Sequence, residues 1–125
     1  QAVPRDAAPK SVEERLYAST LAINTGRYDE ALSHLRLVRD EDPDNDHALY
    51  MIAVAHAQRG EPTLAMAHLE RAIALNPENR ALARRDPDLE PLADDETFRA
   101  VVESPLSFRP GADDRRRPSK PRPGR

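Results

Sequence analysis

Apolar residues recur at three- and four-residue intervals from residue 12 to residue 103, the spacing that lines up side chains on one face of an α-helix. The first run holds Leu16, Ser19 and Ile23, with Tyr17 and Leu21 at the same spacing and small Ala18 and Ala22 where a second helix can come close. A second run, Ala31, Leu32, Leu35 and Val38, predicts a helix from about Tyr28 to Arg39. A third joins Ala48, Leu49, Ile52, Ala53 and Ala57, and a fourth places Leu64, Ala65, Leu69, Ala72, Ile73 and Leu75 inward. Stop and start residues fall between the runs. Ser11 with Glu14 three residues on makes a capping box, Gly26 and Gly60 end the first and third helices, and Pro62 opens the fourth. Asp42-Pro43-Asp44-Asn45-Asp46 and Asn76-Pro77 are turns. Beyond them a short helix over Arg80–Arg85 stops before Asp86-Pro87. After Leu89-Glu90-Pro91-Leu92, the acidic run Asp94-Asp95-Glu96 opens a last helix with Phe98, Val101 and Val102 on its apolar face.

The runs repeat. Gly26, Ala31, His34, Leu35, Pro43 and Asn45 return 34 residues later as Gly60, Ala65, His68, Leu69, Pro77 and Asn79. A helix-turn-helix unit of this length cannot bury its apolar face alone and must stack on a neighbour. The chain therefore reads as all-α, with one helical domain over residues 11–103. It comprises units 12–45 and 46–79 and a degenerate cap over 80–103, an atypical end being usual where one face meets solvent.

The run Gly26-Arg27-Tyr28-Asp29-Glu30-Ala31, followed by Leu35, Val38 and Pro43, and then Gly60, Ala65, Leu69, Ala72 and Pro77, resembles the tetratricopeptide repeat family. The resemblance covers residues 12–79 well and 80–103 loosely. It implies a short right-handed α-solenoid of antiparallel helix pairs. In that packing Gly26 and Gly60 serve the inter-helix turns, Ala31, Leu35, Ala65 and Leu69 the helix contacts, and Pro43 and Pro77 the ends of units. Two positions depart from the family pattern: Arg15 stands where a large apolar residue is usual, and His56 where an aromatic often sits.

The resemblance also implies a function, protein–protein interaction, with the first helix of each unit lining a concave groove that takes a peptide. By repeat offset the groove-facing residues are Leu16, Thr20, Ile23 and Asn24, then His47, Tyr50, Val54 and Gln58. Apolar residues mixed with amides and hydroxyls suit an extended or helical peptide with apolar side chains. The same apolar residues equally fit packing against neighbouring helices. One subclass clamps the acidic tails of heat-shock chaperones with lysine and asparagine. Leu16, Thr20 and Met51 occupy those positions here, so the resemblance does not extend to it. Two full units and a cap lie near the lower limit for a stable array, which makes self-association a structural alternative.

Composition narrows the chemistry. Hydrophobic residues make up 38% and charged residues 33% of the 125, with 4% aromatics. No cysteine is present, which excludes disulfides and thiolate metal sites, and no apolar run approaches the roughly 20 residues of a membrane helix. His34, His47, His56 and His68 show no pair at zinc-ligand spacing, and His34 and His68, repeat equivalents, read as surface or interface residues. Asp94, Asp95 and Glu96 read as a helix start. With no nucleophile beside a base and no phosphate loop, the chain presents no catalytic or cofactor-binding residues and is expected not to be an enzyme.

The ends are different in kind. Residues 1–10 lack an apolar period and read as disordered. A start at Gln1 fits trimming or removal of a leader, and both export and a cytoplasmic location stay open. Residues 104–125 carry seven basic residues against Asp113 and Asp114, or +5, which leaves −8 for the rest of a chain whose net charge is −3. This Pro/Arg-rich tail reads as disordered, either solvated, folded back on the acidic body, or attracted to polyanions, although no aromatic is interleaved to stack on bases. Leu106 and Phe108 are placed to dock on the last helix and complete the cap.

Overall fold

A computed structural model describes residues 11–103. The expectations for residues 1–10 and for 104–125, including docking by Leu106 and Phe108, lie outside the described residues. Helices α1 (Val12–Asn24), α2 (Tyr28–Glu41), α3 (Asp46–Gln58) and α4 (Pro62–Leu75) pack in sequence. A shorter α5 (Glu78–Arg84), a 3₁₀ segment (Pro87–Leu92) and α6 (Glu96–Glu103) follow, and no strand occurs among the described residues.

Local chemistry sets the ends of these helices. At the start of α1, Glu14 N donates to Ser11 Oγ at 3.0 Å and Ser11 N donates to Glu14 Oε1 at 3.1 Å, so two otherwise unpaired amides satisfy each other's residue. At the ends of α1 and α3 the chain turns through Gly26 and Gly60, at φ 77° and 78°, where a side chain would be strained. Each turn carries the same two bonds: Arg27 N to Ala22 O and Gly26 N to Ile23 O, then Glu61 N to His56 O and Gly60 N to Ala57 O. The 34-residue repeat is thus a repeat of hydrogen bonds as well as of letters.

The core follows the small and branched residues of all four long helices. Ala31, Leu35, Ala65 and Leu69, repeat-equivalent in pairs, have no exposed surface. Helix α3 is the centre, buried at every position from Ala48 to Ala57, because α2, α4 and the 3₁₀ segment all pack on it. A helix apolar on all sides requires that environment.

Several expectations need correcting. Helix α2 runs two residues past Arg39, because Asp40 and Glu41 face solvent and leave no mark in the apolar period. Leu64 and Leu75 do not face inward; they are 47% and 39% exposed. They sit at the margins of the α4 stripe, and the short α5 and α6 touch α4 too lightly to cover them. Tyr17 and Leu21 are likewise exposed on α1. Helix α5 begins at Glu78 rather than Arg80, because Glu78 N donates to Asn76 Oδ1 and starts the helix directly after Pro77. Asn45 and Asn79 consequently part ways despite their equivalence. Asn45 Oδ1 caps α3 by accepting from Ala48 N at 2.9 Å, whereas buried Asn79 donates to Ala72 O and to Asp46 Oδ2, both at 2.9 Å.

Candidate peptide-binding groove

One cleft of about 240 Å³ lies where α1, α3 and α5 meet the start of the 3₁₀ segment. From α1 it receives Thr20, Ile23 and Asn24, one turn apart on a single face. From α3 it receives His47, Tyr50, Met51 and Val54, and the far wall is Leu82, Asp86 and Asp88. Six of the eight residues assigned to the groove by repeat offset therefore line it. Leu16 lies half-buried against the core, and Gln58 is used structurally, its Nε2 donating to Asp88 O at 2.6 Å while its Oε1 accepts from Tyr28 OH at 3.3 Å.

The contributions differ in depth. Tyr50 and Val54 are 4% exposed each, so they form a floor rather than free anchors. Ile23 is half-buried, and Leu82, at 40% exposed, supplies the most open apolar surface of the wall. The Tyr50 hydroxyl donates to Asp86 Oδ2 at 2.7 Å. Burial, and then this bond to a carboxylate, pushes the phenol far above its ordinary pKa, so it stays a donor throughout the useful pH range. Asp86 in turn accepts from Asp88 N through Oδ1 at 2.9 Å, which fixes the 3₁₀ turn. One tyrosine thus ties the floor of the groove to its far wall, 36 residues on.

Leu82, Asp86 and Asp88 also line the cleft and lie outside the residues assigned by repeat offset, and Met51, placed above at a clamp position only, lines it too. Asp86-Pro87 signals a helix stop, but nothing in that dipeptide says the stop folds back against α3. The one available hint was Tyr50 itself, since a tyrosine on a buried face needs an acceptor for its hydroxyl.

A second polar cluster sits at the Gly60 turn. The His56 and His68 rings stack with centroids 5.5 Å apart, His56 Nδ1 lies 2.8 Å from Glu61 Oε1, and His68 Nδ1 donates to Leu64 O at 2.9 Å. Arg59 joins Glu61 to Asp29 at the start of α2. The partner of His68 is thus His56, twelve residues away across the α3–α4 turn; among the described residues no three His, Asp or Glu side chains converge to hold a metal ion. Burial holds the His68 imidazole below its ordinary pKa, and the charges of His56, Arg39 and Arg36 act the same way, against the pull of the Leu64 carbonyl. The hydrogen bond from His56 holds the Glu61 carboxyl below its ordinary range.

These shifts predict a two-stage pH dependence. Below the ordinary imidazole value of 6.5 the unfolded chain protonates position 68 more readily than the folded one, so stability falls until the lower folded pKa is passed. Glu61 contributes stability above its ordinary 4.5 that is lost as pH falls through its depressed folded value. Urea midpoints measured from pH 8 to pH 3 should decline in both windows, and His68→Gln should flatten only the upper one. An unchanged upper decline in that variant would place its origin elsewhere.

No helix among the described residues is long and apolar enough to cross a membrane. A family model described as tetratricopeptide repeat matches residues 22–85, just over half of the chain. The chain is also similar to human "Tetratricopeptide repeat protein 13", with 33% identity over 73 residues. That match covers 54% of this chain but only 8% of the relative, so the chain spans a small part of the protein it resembles. No solved structure matches. Repeats of this kind generally mediate protein–protein interaction rather than catalysis, and on this sequence match and this helix-pair architecture the chain belongs to the tetratricopeptide repeat family.

Proposed function

We propose that the cleft between α1, α3 and α5 binds a short segment of a protein partner. The observation that carries this reading is the combination of an apolar floor (Ile23, Tyr50, Met51, Val54) with a rim of Thr20, Asn24, His47, Asp86 and Asp88. A segment laid there buries apolar side chains on the floor while its polar groups find donors and acceptors along the rim. The surface is small, so a single copy binds weakly or moderately.

The test is affinity capture from native extract, comparing the intact chain with an Asn24→Arg/Leu82→Arg variant. Both positions are exposed, so the bulky cations fill the cleft without entering the core, which circular dichroism would check. Loss of specific partners from the variant is the expected outcome. Partners retained in full would sink the groove reading. A second reading, self-association or stacking on another repeat, is favoured by exposed Tyr17 and Leu21, which lie one turn apart on α1 at 68% and 44% exposure. It predicts a size that rises with concentration and returns to the monomer value in Tyr17→Glu/Leu21→Glu.

A further inference from the structure

We propose that the cleft is occupied in cis by the chain's own residues 104–125. This rests on reading the cleft as a peptide site and names its occupant. The first ground is charge. Of the ten lining residues the charged ones are Asp86 and Asp88, and neither makes an ion pair among the described residues. Asp88 is exposed and lines the cleft. The described body holds 10 basic residues against 19 acidic ones, whereas the segment that follows holds seven against two. An acidic rim over an apolar floor asks for a ligand carrying apolar side chains close to cations. Leu106, Phe108 and Arg109 supply that order, and Arg115, Arg116 and Arg117 follow.

The second ground is position. Arg84 Nε donates to Val102 O at 2.8 Å, which fastens the end of α6 to α5, the helix that gives Leu82 to the cleft wall. Arg84 is two residues from both Leu82 and Asp86. Residues two apart on a helix point to different faces, so the segment starts on the α6 side of α5 and reaches the cleft by passing around that helix. Phe108 is five residues past Glu103, a reach of up to about 17 Å when extended, and the full 22 residues reach up to about 75 Å. A tether this short raises the local concentration of the segment to about the millimolar range, so weak contacts suffice to fill the cleft. Five prolines within it reduce the conformational freedom lost on docking. A partner would then have to displace the segment, and the free cleft would bind that partner more tightly than the intact chain does.

The chain has no cysteine, so Ala112→Cys, three residues past Arg109, gives a single site for a nitroxide label in the full-length protein. With the label in place, the backbone amides of Thr20, Asn24, Met51 and Leu82 should lose most of their NMR intensity. Asp88→Lys should restore them, and Asp94→Lys, an equal charge change at another exposed position, should not. Broadening spread evenly over the surface, centred on α4 or α6, or unaltered by Asp88→Lys overturns the proposal. A mixture of labelled, isotope-free chain with unlabelled ¹⁵N chain checks the cis arrangement. Equal broadening there would put a second copy's segment in the cleft and overturn it too. The groove reading fails separately: a cleft that captures its partner but feels no label loses only this occupant, whereas partners indifferent to Asn24→Arg/Leu82→Arg remove the groove itself.

Discussion

Leu69→Ala should cost about 3 kcal/mol of folding free energy, while Leu64→Ala, on the same helix, should cost under about 0.5. Leu69 has no exposed surface and belongs to the buried core on α4, the helix packed against α3. Removing its branched end leaves a cavity that Ala65, Ala72 and the α3 alanines are too small to fill. A folded body of this size holds roughly 5–14 kcal/mol in total, so the loss is a large fraction of the whole. Leu64 is nearly half exposed, and truncating it removes little buried area. Urea denaturation of the two variants, with the slope unchanged, would read both values. Equal losses would mean that Leu64 is covered and that the α4 face has been assigned wrongly.

That contrast also marks how far the sequence could be read. Period and repeat were sufficient for the helix pairs, because Gly26 and Gly60 need the left-handed conformation whatever surrounds them, and Ser11 caps with residues three positions away. Leu64 and Leu75 were misread because periodicity marks a stripe without saying how wide a neighbour will cover it. The neighbours that follow, α5 and α6, are seven and eight residues long and leave both leucines exposed.

The cleft divides along the same line. Its α1 and α3 sides follow from repeat offset, since a fixed period carries a residue from one unit to the matching face of the next. Its far wall breaks the repeat. Asp86 and Asp88 are held there by contacts spanning thirty or more residues, Tyr50 to Asp86 and Gln58 to Asp88, and no local pattern encodes them. Asn79 shows the same failure in miniature. It copies Asn45 in the sequence, yet its amide is turned inward to Asp46 and Ala72 because α5 has already begun.

If the far wall is a separate attachment, Leu89→Ala should loosen it without unfolding the helices beneath. Leu89 is 1% exposed and anchors the 3₁₀ segment on α3, with Leu92 beside it. Truncation removes about 2–5 kcal/mol of packing, comparable to Leu69→Ala, but a short segment outside the four long helices can open locally where α4 cannot. Native-state hydrogen exchange should therefore quicken about a hundredfold or more at Leu89, Ala93 and Asp95, amides that bond within this segment and the turn after it. Amides in the middle of α3 and α4 should change far less. The consequence for binding is direct, because opening the segment breaks the Tyr50–Asp86 and Gln58–Asp88 bonds that fix the wall. On the proposed function, partner capture should fall in Leu89→Ala although α1 and α3, which carry six of the cleft-lining residues, keep their structure. Uniformly faster exchange across every helix would instead make the cap part of a single cooperative unit, and the wall could then move only when the whole fold does.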